Sequence, residues 1–451
     1  MADNNNENSM FTTMPVPRAV MKNAIPAMIA MLMVLIYNLA DTLFIGMTHD
    51  AYQVAAVSLA TPVFLLFMAV GTVFGIGGTS VISRAMGEGR KDFAKKVCSF
   101  CMWSCIAVGL VMMALFLIFM DQILSLVGAS ADTWEYTKQY LCIVSLGGVF
   151  VLISNCFSNI LRAEGEANKA MAGQIIGNML NVVLDPLFIL VFKWNIAGAA
   201  IATVIGNLMA AIFYVGYYVG GNSKLSIRLK DFSVKEGIAR GVLVIGVPAS
   251  LASVLMSISQ MIMNAMMAGY GDMAVAGAGV AMKVTMITGM ISMGIGQGVQ
   301  PLLGFSVGAR NWDRYHKVLR FSMIFALILG AMLTLLCYIF TGQLVSVFLT
   351  DQSAYNYAVR FVKILLTTSV IFGPFYVLTN ALQAMGAATA SLIINLSRQG
   401  LIYIPMLFLL RAILQVTGLI WAQPVADVLS TVLAAILYSR EMRKMSKSIS
   451  N

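Results

Sequence analysis

Twelve runs of predominantly apolar residues leave this chain one class of fold. They fall at 22–46, 53–81, 94–119, 136–161, 168–192, 196–219, 239–267, 274–305, 317–340, 357–382, 389–411 and 415–438. Each is long enough for a helix of about 20 residues to cross a bilayer. The connections are short, so no soluble domain is inserted. Of the 451 residues 59% are hydrophobic and only 11% charged, against about 25% charged in soluble domains. A single soluble core is excluded. The reading is an all-α polytopic membrane protein.

The net charge of +10 reports topology rather than nucleic-acid binding. With the N-terminus inside, the inner segments and their flanks hold Arg18 and Lys22; Arg84, Arg90, Lys91, Lys95 and Lys96; Arg162 and Lys169; Lys224, Arg228, Lys230, Lys235 and Arg240; Arg310, Arg314, Lys317 and Arg320; and Arg440, Arg443, Lys444 and Lys447. That is 22 of the 29 Lys and Arg. This bias fits both termini in the cytoplasm, and the expected place is the plasma (inner) membrane, crossed several times. Residues 1–20 are polar and read as a disordered cytoplasmic tail, without the basic start and apolar run of a signal peptide. The six cysteines lie in apolar stretches and read as packing thiols. His49 and His316 fall in predicted loops, away from any metal-ligand pattern.

The chain reads as a duplication. Asn159, Leu161, Ala163, Gly165 and Ala167 recur as Asn380, Leu382, Ala384, Gly386 and Ala388, offset by 221. The same offset relates "GEGRKDFAKKV" to "GARNWDRYHKV", and Gly75 and Gly77 to Gly296 and Gly298; Pro186 and Pro405 are offset by 219. Six spans per repeat give both halves the same orientation. The expected architecture is therefore twelve transmembrane helices in two six-helix bundles related by a pseudo-two-fold axis along the membrane normal. Such parallel repeats suit a transporter whose substrate lies between rocking halves. The expected boundaries are an N-lobe at 21–221, a cytoplasmic linker at 222–240, a C-lobe at 241–440 and a tail at 441–451.

Ionisable groups inside spans are costly and mark function by default. Asp41 in span 1 and Asp185 in span 5 both lie about 7–11 Å below the outer face at 1.5 Å per residue. Asn181 is four residues before Asp185, on the same helix face, and Thr203 in span 6 lies at a similar level. Pro186 lacks an N–H and disfavours the bond to the Val182 carbonyl, freeing an oxygen nearby. Two carboxylates, an amide oxygen and a hydroxyl at one depth suit a hard cation such as Na⁺. They equally suit a proton, because two close carboxylates in low dielectric cannot both ionise cheaply. The second half does not repeat them: Ile404 and Gly400 stand where the first half has Asp185 and Asn181. Its own intramembrane charges are Lys283, Arg398 and Asp427, the last two or Lys283 with Asp427 forming a candidate structural ion pair. Tyr37, Asn38, Met256, Gln260, Met263 and Asn264 are candidates for the substrate cavity, the flexible methionines suiting varied apolar cations.

The stretches "IPAMIAMLMVLIYNLADTLFIG", "AAVSLATPVFLL", "GGTSVISRAMGEG", "NILRAEGE" and "GNMLNVVLDPLFI" resemble the multidrug and toxic compound extrusion (MATE) transporters over residues 15 to 440. "MSISQMIMNAMMAGYG" is similar to their bacterial MepA-like and DinF-like branches. The resemblance implies a V-shaped pair of six-helix lobes that exports cationic or amphipathic drugs in exchange for Na⁺ or H⁺. It implies no cofactor, no enzyme activity and no nucleic-acid partner. It places the coupling cation at Asp41, Asn181, Asp185 and Thr203, and a helix bend at Pro26 beside the one expected at Pro186. The acidic residue found in span 7 of NorM-like and eukaryotic members is absent. The chain is expected to act as a monomer within the lipid bilayer. The alternative reading is a flippase for lipid or lipid-linked oligosaccharide in the same superfamily.

Overall fold

The computed structural model describes residues 9–48, 50–221, 223–349 and 351–450. His49 lies outside them. Regular structure among the described residues is helical. In chain order the helices are α1 (Ser9–Thr12), α2 (Val16–Gly46), α3 (Ala51–Gly87), α4 (Lys91–Ile118), α5 (Met120–Leu126), α6 (Trp134–Leu146), α7 (Gly148–Glu164), α8 (Ala167–Pro186), α9 (Asn195–Val219), α10 (Ile238–Ala268), α11 (Asp272–Gly308), α12 (Trp312–Ile339), α13 (Thr341–Ser346), α14 (Gln352–Leu366), α15 (Phe372–Ala384), α16 (Ala388–Leu396), α17 (Tyr403–Leu414) and α18 (Val416–Ser450). Among the described residues ten helical stretches are long and apolar enough to cross a membrane, or up to twelve when two bent pairs each count as one span. The protein is thus a multi-pass membrane protein.

The bent pairs are α6 with α7, at 55°, and α14 with α15, at 45°. Both correspond to single runs in the sequence, 136–161 and 357–382. Gly147 and Gly148 stand at the first break, where a Cβ on Gly148 would sit 2.1 Å from the Phe67 ring. A short 3₁₀ turn, Ser369–Ile371, forms the second, with Pro374 just beyond it. Glycine pairs and prolines are the usual causes of such kinks.

The chain packs as two compact units, one of residues 29–250 and the other of 1–28 with 251–451. In the first unit α3 packs on α7 and α4, and α9 on α8, α7 and α6. Its core holds Phe67, Leu152, Phe157, Leu161 and Tyr214, with Cys98, Cys101, Cys105 and Cys156 as unpaired packing thiols. In the second unit α11 packs on α15, α14 and α12, and α17 on α18. Both α2 and α10 cross a unit boundary, after Met28 and after Ser250. Each carries a proline two residues earlier, Pro26 and Pro248. The first turns of α10 lie so close to α3 that a Cβ on Gly77 would meet the Val242 carbonyl oxygen at 2.1 Å, and one on Gly246 the Val73 oxygen at 1.9 Å. The first turns of α2 meet α11 likewise: a Cβ on Gly298 would lie 2.6 Å from Ala24 Cα. Glycine permits such close backbone approach between membrane helices.

Two expectations are corrected. Residues 9–20 are not disordered: Phe11 stacks on Phe305 with centroids 4.9 Å apart. Arg314 Nη2 donates to the Met10 and Met14 carbonyls at 2.8 and 3.0 Å. Buried Met10 and Phe11 and the Arg314 hydrogen bonds together dock it. His316 lies inside α12, not in a loop.

The segment between the repeats is strapped to the first unit. Ser99 Oγ donates to the Arg228 carbonyl at 2.7 Å, and Trp103 Nε1 to that of Ile227 at 3.1 Å. Buried Glu164 accepts from Ser223 Oγ and Lys224 N, both at 2.6 Å.

Candidate functional site

The first unit gathers its polar groups where α2, α6, α8 and α9 present them to one another. Asp185 lies on the last α-helical turn of α8. Just past it, Pro186 opens the hydrogen-bond register, and Leu187–Val191 forms a π-helical turn. Such wide turns are rare and recur at functional sites. Asp185 is fully buried, Asn181 3% exposed and Thr203 2% exposed.

The Asn181 amide, oriented to satisfy its neighbours, ties these groups together. Its Nδ2 donates to Asp185 Oδ2 at 3.0 Å, and its Oδ1 accepts from Thr203 N at 3.0 Å and Thr203 Oγ1 at 3.2 Å. The i, i+4 spacing on α8 makes this contact possible. Asp41 reaches the same place from α2, close enough for its charge to act on Asp185. Asp185 Oδ1 and Asp41 Oδ1 are both buried with no hydrogen-bond partner among the described residues. A buried charged oxygen left unpaired is expensive, so this pair invites a cation or a proton.

Two tyrosines complete the cluster. Tyr37, one turn before Asp41, stands beside Thr203 and within the field of both aspartates, and so does Tyr140 from α6. The sequence reading placed Tyr37 among the cavity candidates and did not single out Tyr140. A signal existed: at the offset of 221 Tyr140 aligns with Phe361, a polar-for-apolar difference of the kind that singles out Asp185 against Ile404. The donors are all oxygen, and no group of three His, Cys, Asp or Glu side chains suited to a metal occurs among the described residues. Hard cations take such oxygen sets.

The second unit holds a different polar cluster. Arg398 Nε donates to Asp427 Oδ1 at 2.8 Å, with the side chains 12% and 2% exposed. Gln423 Nε2 donates to the same oxygen at 2.9 Å, and Arg398 Nη1 to the Tyr376 hydroxyl at 3.2 Å. The guanidinium lies 5.0–5.5 Å from the rings of Phe372, Phe375 and Tyr376. Unlike the aspartates of the first unit, this pair is satisfied. Lys283 stands apart from it, over the Phe348 ring. Gln260 Nε2 donates to Asn264 Oδ1 at 3.2 Å. Met256 is 51% exposed, whereas Met263 is fully buried in the second unit's core and lines no accessible surface. Asn38 is exposed.

A bundle of membrane-length helices around two carboxylates, each with one buried oxygen lacking a partner among the described residues, fits a membrane transporter. The MatE family model matches residues 26–187 and again 248–409, and the chain belongs to that family. It is a transporter and not an enzyme. The second match starts 222 residues after the first, close to the offset of 221 between the motifs, and the two matches begin at Pro26 and Pro248. The chain is 32% identical to the multidrug export protein MepA of Staphylococcus aureus strain MSSA476, over 95% of this chain and 94% of the relative. It is 31% identical to MepA of Staphylococcus haemolyticus strain JCSC1435, over 94% of each. Its fold matches a multidrug resistance MATE family transporter in an outward-facing conformation, with a TM-score of 0.93 and 23% identity over 98% of this chain and 99% of the other. A MATE structure in the bent conformation matches with a TM-score of 0.90, at 23% identity over 99% of both.

Proposed function

We propose that the protein is a secondary active antiporter of the plasma membrane that exports organic cations and other amphipathic drugs in exchange for Na⁺ or H⁺. Drug export rests on the family and on the MepA relatives. The exchange rests on one observation: two carboxylates, Asp41 and Asp185, each present a buried oxygen without a partner at one point inside a membrane bundle. Asn181 and Thr203 hold Asp185 in place, and Tyr37 and Tyr140 close the cluster. The coupling ion neutralises one of the two carboxylates when it binds, which relieves their mutual repulsion. Because Tyr37 and Asp41 belong to α2, that neutralisation acts on the helix that runs from one packing unit into the other. A ligand shifts such an equilibrium only by its difference in affinity for the two states.

Exchange requires that ion and drug weaken each other's binding, by the same factor in both directions. Fluorescence anisotropy of ethidium on the purified protein, titrated with Na⁺ or with acid, reads this factor. Wild type is expected to lose about 5- to 150-fold in ethidium affinity with one of the two ions, the usual range of coupling. Asp185→Asn is expected to bind ethidium without responding. An ion-independent ethidium affinity in wild type removes the exchange reading.

A further inference from the structure

Helix α18, Val416–Ser450, is 35 residues long. At 1.5 Å per residue that is about 52 Å, far more than the roughly 30 Å of bilayer hydrocarbon. One face of its last turns forms a shallow open groove of about 660 Å³. Val432, Ala435 and Ile436 line its apolar end; Ser439, Arg440, Arg443 and Lys444 line the other. These positions recur at three- and four-residue steps, so they form a single stripe. Val432 and Ile436 are 52% and 58% exposed, while Ala434 and Leu437 on the opposite side are buried. Over one helical turn the stripe changes from apolar to cationic. Lys444 is paired with Glu441 at 2.5 Å. Arg440 and Arg443 have no carboxylate partner among the described residues.

An apolar wall followed by two guanidiniums without a carboxylate partner among the described residues matches the order of groups along a phospholipid, acyl chain first and phosphate last. We propose that this stripe binds an anionic glycerophospholipid, with Arg440 and Arg443 on its phosphate and an acyl chain along Ile436 and Val432. Guanidinium forks match phosphate oxygens bidentately and hold them better than isolated point charges do. A second copy of the chain fits less well. Two copies inserted in the same direction would align their stripes and bring four guanidiniums together. The site is independent of the exchange proposed for the first unit.

The test is native mass spectrometry of the full chain in neutral detergent, titrated with phosphatidylglycerol or with phosphatidylcholine. Wild type, Arg440→Gln/Arg443→Gln and a control pair at another basic end, Lys91→Gln/Lys95→Gln, are compared. All four positions lie at the surface or partly so, and circular dichroism confirms that the variants fold. Wild type is expected to retain phosphatidylglycerol over phosphatidylcholine. A charge near the surface is worth about fivefold in lipid affinity, so the arginine pair should lose roughly twentyfold and the control little. Equal loss in both pairs, no preference for the anionic lipid, or displacement of the lipid by millimolar inorganic phosphate would overturn the proposal. So would a dimer that the arginine variant strengthens, which would assign the face to a second copy.

Discussion

A carboxylate costs most where Asp185 sits, fully buried beside a second carboxylate. Asn181 contributes by holding one of its oxygens and leaving the other available. Tyr140 contributes a hydroxyl that a phenyl ring would lack. Tyr140→Phe keeps the ring packing, so it should leave drug affinity unchanged. It should raise the ion concentration at half-effect about fivefold, the worth of one hydrogen bond near 1 kcal/mol. An unchanged ion midpoint would make the tyrosine a packing residue only. The Arg398–Asp427 pair behaves differently because it is already satisfied. Asp427→Ala alone strands a buried guanidinium and should cost about 3 kcal/mol, whereas the double change Asp427→Ala/Arg398→Met should cost clearly less. Thermal unfolding of the two variants in detergent compares them. A double variant less stable than the single would show that the pair itself contributes net stability. Of these residues Asp41, Asn181, Asp185 and Thr203 were legible from charge and depth, since an Asp in an apolar run needs a reason. Tyr140 was not, because a tyrosine in a span is ordinary until its neighbours are known. Met263 misled for the opposite reason: its helix face pointed into the core.

At the scale of elements, backbone proximity governs. Gly246 and Gly77 lie where α10 and α3 touch, while Gly216 faces open space. Gly246→Ala should therefore destabilise by about 1–3 kcal/mol through overpacking. Gly216→Ala should be neutral or stabilise by up to about 1 kcal/mol through helix propensity. Melting temperatures in detergent, read for both variants, should fall for Gly246→Ala and not for Gly216→Ala; an unchanged or raised value for Gly246→Ala would mean the α10–α3 contact yields. The helices themselves were readable because hydrocarbon thickness fixes the length of an apolar run. Their breaks were not. Gly147 and Gly148 sit inside one continuous apolar stretch, and nothing in composition distinguishes a kink from tolerated glycines. The π-helical turn after Asp185 had a partial signal in Pro186, which implied a freed carbonyl but not the wider register.

For the whole molecule, the sequence divides by repeat and the structure divides by packing. The repeats are visible in the motifs and in the two family matches. The packing units instead change over inside α2 and α10, after Met28 and Ser250. Local patterns are silent on this, because the residues on either side of each change are equally apolar. Pro26 and Pro248 precede the two changes by two residues each, so a paired weakening of both helices is built into the duplicated plan. Exchange of ion for drug is a property of this whole plan and is tested on it. The decisive experiment is reconstitution in liposomes with ethidium export followed under an imposed Na⁺ gradient or an imposed pH gradient, for wild type and Asp185→Asn. Wild type should export in response to one of the two gradients and Asp185→Asn to neither. Equal export by both proteins would contradict a coupling role for Asp185 and leave the cluster of the first unit a structural one.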